Sequence, residues 1–233
     1  MEHVALHEHQ HGLIELRADR PPANAMDLTL LADLLEAIEL LSREGPGAVV
    51  LAGRPGFFSA GVDLKAVPGY DDGQQRAMVA HINAMALGVY ELPCPVVGAI
   101  TGHAVAGGLV LALCTDTRVV SSAGRYGLTE VKVGVGYPQA AIGVVAAELA
   151  PHAARVLALG SELIDAAEGV RLGLFDEVVE PDAVVSRALE VAGRLASFPA
   201  EAYARTKREL RGATAARLRA AAVDDPLLGG WVP

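Results

Sequence analysis

Hydrophobic and polar positions follow two different periods along the first half of the chain. Short alternating or continuously apolar runs predict strands. These runs lie at residues 4–17, 48–52, 95–100 and 118–121. Apolar side chains recur every three or four positions over residues 31–41 and from about 74 to 91, which predicts two amphipathic helices. Asp27 is placed to cap the first helix at its N-terminus.

Helical periodicity dominates the second half. The predicted helices cover residues 109–115, 140–159, 165–172, 181–197 and 201–222, with one short strand at 176–179. Alternating strands and helices followed mainly by helices predict a single α/β core with a helical C-terminal part. We place the core at residues 1–195 and the C-terminal helical region at residues 196–233.

Two glycine-rich segments follow predicted strands and are predicted to be loops. They are residues 53–61, continuing through Asp63 and Lys65, and residues 102–108. Small residues let a ligand approach the backbone, and an amide exposed at a strand-to-helix turn can point at an anion. A tight, closely packed turn with no ligand is the alternative for each segment.

Glu130 stands among apolar residues in the segment 126–138. A carboxyl group in such surroundings tends to have a raised pKa and can serve as a general base or acid. A solvated glutamate, or one that caps a helix, is the alternative.

The composition and net charge of the chain exclude some classes of binding partner. Of 233 residues, 52% are hydrophobic and 20% are charged, and the net charge is −9. An acidic chain has no overall attraction for phosphate backbones, so nucleic acid is not an expected partner. No secretory signal and no apolar run of membrane-spanning length is apparent, which predicts a cytoplasmic protein with no membrane partner. Cys94 and Cys114 lie in apolar stretches and are predicted to be buried thiols.

Three histidines near the N-terminus have the spacing of one strand face. His7, His9 and His11 alternate along the first predicted strand region. A metal site is conceivable there, but an exposed strand is the favoured interpretation, so no metal is predicted.

Taken together, several segments in register resemble the enoyl-CoA hydratase/isomerase (crotonase) family. The segments are residues 20–25 (RPPANA), 58–65 (FSAGVDLK), 102–116, 127–138 and several positions between 160 and 207. The resemblance implies a crotonase-type spiral of β-β-α turns with a helical C-terminal region. It also implies an acyl-CoA thioester substrate, no separate cofactor because CoA belongs to the substrate, and a homotrimer or dimer of trimers.

The resemblance assigns roles residue by residue. The backbone N–H groups of Val62 and Gly107 would form an oxyanion hole. Glu130 would remove a proton from the substrate and return it. Ala60 would lie beside the CoA adenine and Lys65 near the CoA phosphates. Further positions that could border the acyl pocket are Met78, His81, Val110 and Tyr137. Asp116 matches a family position that we expect to be structural.

The sequence departs from the family pattern in three places. Hydratases of this family use two glutamates, and the first of them falls here on Val110, which cannot titrate. Ala106 replaces the first glycine of the usual triple. The C-terminal stretch from residue 224 is also shorter than is typical of the family, so the sequence does not predict the helices that often cover the acyl pocket or a neighbouring subunit.

One glutamate with an oxyanion hole suits a proton shuttle. The pattern is therefore similar to the family's Δ3,Δ2-enoyl-CoA isomerases, which is the leading functional hypothesis. A 2-enoyl-CoA hydratase that works with Glu130 alone is the first alternative. A non-catalytic acyl-CoA-binding protein is the alternative from another class.

Overall fold

The computed structural model describes residues 1–231, which form two sheets and eight α-helices. The strands are Val4–His9 (β1), Leu13–Ala18 (β2), Ala48–Ala52 (β3), Gly56–Ser59 (β4), Val96–Ile100 (β5), Gly102–Val105 (β6), Thr117–Ser121 (β7), Tyr126–Gly127 (β8) and Glu177–Val179 (β9). The helices are Leu28–Glu44 (α1), Asp72–Glu91 (α2), Gly107–Leu113 (α3), Gln139–Glu148 (α4), Pro151–Gly160 (α5), Ala166–Arg171 (α6), Val184–Ala196 (α7) and Ala200–Val223 (α8).

Successive β-β-α turns share their strands between the two sheets. The large sheet has the order β1-β2-β3-β5-β7-β9, and the small sheet has the order β4-β6-β8. The turns β3-β4-α2, β5-β6-α3 and β7-β8-α4 each give their first strand to the large sheet and their second to the small sheet. Apart from the antiparallel pair β1–β2, all pairings are parallel. The predicted spiral of β-β-α turns is confirmed.

Both faces of the large sheet are covered, which explains its continuously apolar strands. Val50, Val97 and Val119 on one face pack in a cluster with Ala188 and Val191 of α7. Alternate residues of the same strands join the main core on the other face. All five residues of β3 and of β5 are buried.

The ends of the first two helices follow from local side-chain chemistry. The Asp27 carboxylate accepts a hydrogen bond from the Leu30 amide at 2.8 Å, as predicted. Gly45 ends α1 in the left-handed conformation, with φ of 64°. Asp71 and Gln74 form a reciprocal capping box at the start of α2, which therefore begins a little earlier than the periodicity predicts.

The prediction of one helix over residues 140–159 is wrong. The chain leaves the helical conformation at Leu149 and Ala150, and α5 begins afresh at Pro151. Proline lacks an N–H group and clashes with the preceding helical turn, so it is tolerated only in the first turn of a helix.

The predicted loops at residues 53–61 and 102–108 are also corrected, because they contain β4 and β6. The backbones come so close that a Cβ on Gly102 would lie 2.1 Å from the backbone of Gly56. Glycine here permits strand pairing, although glycine in a sequence usually indicates a turn.

The long helix α8 is held to the spiral by a buried ionic cluster. Both Lys207 Nζ and Arg211 donate to the Asp116 carboxylate at 2.8 Å, and the Tyr203 hydroxyl donates to it at 3.1 Å. The boundary predicted between residues 195 and 196 falls at the end of α7, and it stays a prediction. Val232 and Pro233 of the predicted C-terminal region lie outside the described residues.

The remaining expectations concern thiols, metals and membranes. Cys94 and Cys114 are buried free thiols, and burial raises their pKa values to about 11 and about 12. His7 and His11 are exposed, and residues 1–231 contain no group of three or more side chains suited to hold a metal ion. Within the same residues, every helix is too short or too polar to cross a membrane.

Candidate active site

Each strand of the small sheet leads directly into one of the segments that the sequence singles out. Ala60 and Val62 follow β4, Ala106 and Gly107 follow β6, and Glu130 follows β8. Because the three strands are parallel, their carboxyl ends lie at the same edge of the sheet. The small sheet thereby gathers residues that are 70 positions apart in sequence.

These segments meet around a cavity with about 540 Å³ of empty space, part of it open to solvent. Of the predicted site residues, six line it: Ala60, Val62, Gly107, Val110, Glu130 and Tyr137. The other lining residues are Leu64, Ile82, Ala106, Thr129, Val133, Val135, Gly136, Pro138, Ala141 and Trp231. Glu130 is the only carboxyl group among all of these lining residues.

Three predicted binding residues lie outside this lining. Lys65 is exposed beyond the Val62 turn. Met78 is fully buried in the core, although Ile82, one turn further along α2, does line the cavity. His81 has a buried Nδ1 without a hydrogen-bond partner among residues 1–231, and burial lowers its pKa. The predicted roles of these three side chains stay predictions.

The Val62 amide is left free by the pairing of its neighbours. The Met26 amide donates to Gly61 O at 2.7 Å, and the Asp63 amide donates to Met26 O at 2.9 Å. Along an extended segment the backbone groups of successive residues point to opposite sides. The Val62 N–H therefore points away from Met26, and the described backbone accepts no hydrogen bond from it.

The Gly107 amide is free because it opens α3. The Leu109 and Val110 amides both donate to Ala106 O, whereas Gly107 precedes the first intrahelical bond. Gly61 brings the two segments together: a Cβ there would lie 3.0 Å from Gly107 N. Gly61 also has φ of 78°, which glycine adopts at little cost.

A buried polar chain supports the Val62 segment from behind. The Asn24 side chain donates to Ala18 O at 2.9 Å and to Phe58 O at 3.1 Å. Ser59 Oγ donates to Asn24 O at 2.7 Å and accepts from the Gly61 amide at 3.1 Å. These bonds fix the turn whose next residue is Val62.

Ala106 holds a conformation that favours glycine, with φ of 52° and ψ of −127°. Such a conformation costs a non-glycine residue about 1–3 kcal/mol. It directs the chain from β6 into α3 and so sets the position of the Gly107 amide.

Glu130 carries a buried, unsatisfied carboxyl group. Its Oε2 atom and the Tyr137 hydroxyl are both buried, and neither has a hydrogen-bond partner among residues 1–231. Burial raises the pKa of Glu130 to about 7. Burial also raises the pKa of Tyr137 above its usual range, so its hydroxyl stays protonated at neutral pH. A carboxyl group with a pKa near neutrality can both accept and return a proton.

The sequence reasoning missed Trp231 as a residue of this cavity. The residue is 5% exposed, and its indole Nε1–H donates to Gly136 O at 2.9 Å. It is the only tryptophan of a chain with few aromatic residues, which is the one signal that could have marked it.

A β-β-α spiral whose cavity is lined by one buried carboxyl group and two free backbone amides is typical of an enzyme of the crotonase fold class. The chain belongs to the enoyl-CoA hydratase/isomerase family, whose model matches residues 8–226. It is 32% identical over 218 residues to human mitochondrial enoyl-CoA delta isomerase 1, covering 89% of this chain and 70% of that protein. It is 34% identical over 198 residues to the probable enoyl-CoA hydratase EchA17 of Mycobacterium bovis, covering 84% of this chain and 76% of that protein.

Solved structures agree with this assignment. The enoyl-CoA hydratase EchA3 of Mycobacterium ulcerans superposes with a TM-score of 0.89 at 30% identity, covering 95% of this chain and 96% of that one. The human mitochondrial delta3-delta2-enoyl-CoA isomerase superposes with a TM-score of 0.87 at 29% identity, covering 94% and 87%. Relatives named as hydratases and as isomerases thus share this fold.

Proposed function

We propose that the protein converts 3-enoyl-CoA thioesters into 2-enoyl-CoA thioesters, with Glu130 as the only proton-transferring carboxyl group. The observation that carries this proposal is the cavity itself. It holds one carboxyl group with a pKa of about 7 beside two free backbone amides, and its other lining residues supply no second carboxyl group.

The reaction requires one group to move one proton. The ionised Glu130 carboxylate removes a proton from C2, and the electron pair of that C–H bond moves into a dienolate whose negative charge rests on the thioester oxygen. The protonated Glu130 then returns the proton at C4, and the double bond lies between C2 and C3. Glu130 ends ionised as it began, so the step consumes no co-reactant.

The Val62 and Gly107 amides stabilise the dienolate oxygen. Preorganised donors aimed at developing charge contribute about 2.7–4 kcal/mol each in enzymes where they have been removed. Their effect is strengthened here because the surrounding lining is mainly apolar, and charge interactions are stronger in such surroundings than in water.

This site is less suited to hydration, because it has one carboxyl group where the hydratases that the sequence resembles use two. Adding water across the double bond calls for activation of the water and delivery of a proton to C2, and two carboxyl groups divide that work in the hydratases that this sequence resembles. Val110 is fully buried and cannot titrate. Hydration by Glu130 alone remains the outcome that the experiment has to separate from isomerisation.

The substrate contacts belong to the same proposal. Ala60 borders the CoA adenine, Lys65 the phosphates, and Val110, Tyr137, Met78 and His81 shape the acyl region directly or through neighbouring side chains. We also propose a homotrimer or dimer of trimers in the cytoplasm, which follows from the family resemblance.

Liquid chromatography with mass detection in heavy-oxygen water tests the reaction, because the two enoyl esters have the same mass and are distinguished by retention time. Purified protein is incubated separately with 3-hexenoyl-CoA and with 2-hexenoyl-CoA. We expect the 3-enoyl ester to become the 2-enoyl ester with no heavy oxygen incorporated. A labelled 3-hydroxyacyl-CoA product would instead establish hydration.

The variant Glu130→Gln tests the proton carrier. We expect turnover of 3-hexenoyl-CoA to fall by about a thousandfold while binding of hexanoyl-CoA is retained, because only proton transfer is lost. Glu201→Gln, an exposed glutamate at the start of α8, is the matched control and should turn over like the unmodified protein. Retained turnover in Glu130→Gln would refute the mechanism.

A further inference from the structure

We propose that Trp231 closes the inner end of the acyl pocket and restricts the substrate to short acyl chains. The proposal rests on the assignment of this cavity to acyl-CoA. It makes the segment 225–231 a determinant of substrate specificity.

The cavity has an open end and a closed end. Leu64 and Val133 are 46% and 48% exposed and mark its mouth. Ile82, Val110 and Ala141 are almost completely buried, and they line the same space together with Trp231. An acyl chain that enters at the mouth therefore extends toward a buried apolar end.

Trp231 is held in one orientation. A buried indole N–H needs an acceptor, and Gly136 O supplies it at 2.9 Å. Gly136 lies in the loop between Glu130 and Tyr137, so the indole is attached directly to the segment that carries the proposed proton carrier. Leu227 packs against Gly136 itself, since a Cβ there would lie 3.2 Å from Leu227 Cδ2.

The segment that carries Trp231 is itself anchored. Asp225 is buried, and its Oδ2 accepts from the Asn83 side chain at 2.9 Å and from the Gln139 amide at 2.7 Å. Its Oδ1 accepts from the Leu227 amide at 3.0 Å. Asn83 Oδ1 accepts from the Ala140 amide at 2.8 Å, which completes a network between α2, the start of α4 and the segment after α8. An acyl chain cannot displace Trp231 without straining these bonds.

Calorimetric titration with saturated thioesters tests the proposal without depending on turnover. Hexanoyl-CoA and dodecanoyl-CoA are titrated into the full-length protein and into Trp231→Ala. We expect the unmodified protein to favour hexanoyl-CoA. In Trp231→Ala the ratio of the two Kd values should shift by about tenfold or more toward dodecanoyl-CoA, because each newly buried methylene strengthens binding by about fourfold.

Two further variants distinguish the proposed role of the Trp231 side chain as the end of the acyl pocket from a general contribution to stability. Trp231→Phe loses the bond to Gly136 and keeps most of the bulk, so it should retain the preference for hexanoyl-CoA. Leu227→Ala loosens the segment without removing a lining side chain and should also retain it. If Trp231→Ala lacks a native circular dichroism spectrum, Trp231→Leu is measured in its place, with a smaller shift expected.

The single tryptophan gives a direct second readout. Hexanoyl-CoA should alter the fluorescence emission of Trp231, whereas CoA alone should leave it nearly unchanged. An unaltered Kd ratio in the Trp231 variant, or a native preference for dodecanoyl-CoA, would overturn the proposal. Failure of isomerisation with intact chain-length selectivity would refute the proposed reaction alone, and absence of any acyl-CoA binding would refute both.

Discussion

The large sheet and the small sheet have different roles in the molecule. They also differ in how readily their strands can be predicted from the sequence. The large sheet consists of continuous apolar strands such as β3 and β5, and it supports the core on both faces. The small sheet has strands of two to four residues, two of which begin with glycine, and it carries every catalytic segment that we propose. Packing thus dictates the residues of one sheet, and close backbone approach dictates those of the other.

The largest expected effect comes from adding one methyl group to the small sheet. In Gly102→Ala the new Cβ would lie 2.1 Å from the backbone of Gly56, which cannot move aside without breaking the β4–β6 pairing. We expect the free energy of unfolding to fall by about 4 kcal/mol in urea denaturation, with loss of turnover.

Gly98→Ala in β5 is the matched substitution in the large sheet. Its Cβ would meet only side-chain atoms, Thr115 Oγ1 at 3.0 Å and Ile100 Cδ1 at 3.1 Å, which can shift. We expect a loss of about 1 kcal/mol. Equal losses at both positions would contradict the contrast between the sheets.

The second prediction concerns the stability that the folded protein loses by burying the ionised Glu130 carboxylate. The pKa of Glu130 is about 7 in the folded chain and near the ordinary 4.5 in the unfolded chain, so the folded state holds the proton more tightly. Stability therefore falls as the pH rises from about 4.5 to 7, and the loss is complete above pH 7.

Glu130→Gln removes this titration. At pH 8 it should unfold at higher denaturant concentration than the unmodified protein, with a gain of up to about 3 kcal/mol, and the gain should vanish near pH 4. Denaturation curves at both pH values measure it. A variant that is less stable at pH 8 would show that the carboxylate is not desolvated as described.

The smallest predicted effect is at Ala106. Ala106→Gly relieves a backbone conformation with φ of 52° and should stabilise the protein by about 0.5–1 kcal/mol. Ala104→Gly, in β6 with no positive φ, should destabilise it by about 1 kcal/mol. Thermal unfolding of the two variants measures both changes in stability. If both variants were stabilised, or both destabilised, the result would argue against backbone strain at Ala106.

The sequence was sufficient for elements whose residues serve packing or capping. The bounds of β3 match the predicted strand, and Asp27 caps α1 as its residue type indicates. The segments around Val62, Gly107 and Glu130 could be recognised from their order along the chain, and the structure brings them to one cavity.

What the sequence could not supply depends on tertiary contacts. β6 begins at a glycine that indicates a turn, and only the approach of Gly56 turns this segment into a strand. Pro151 divides a helix whose apolar period continues across the break. Trp231 is distant in sequence from every other lining residue, so no local pattern connects it to the cavity.

The network around Asp225 has a consequence for the order of events during synthesis. The bond between Asn83 and Asp225 spans 142 positions, and Trp231 follows all other described lining residues in the chain. Until residues 225–231 have been synthesised, Asn83, the Gln139 amide and Gly136 O lack the partners that Asp225 and Trp231 supply. The proposed wall of the acyl pocket can therefore form only after residues 225–231 have been synthesised, when Glu130, the proposed proton carrier, is already part of the chain.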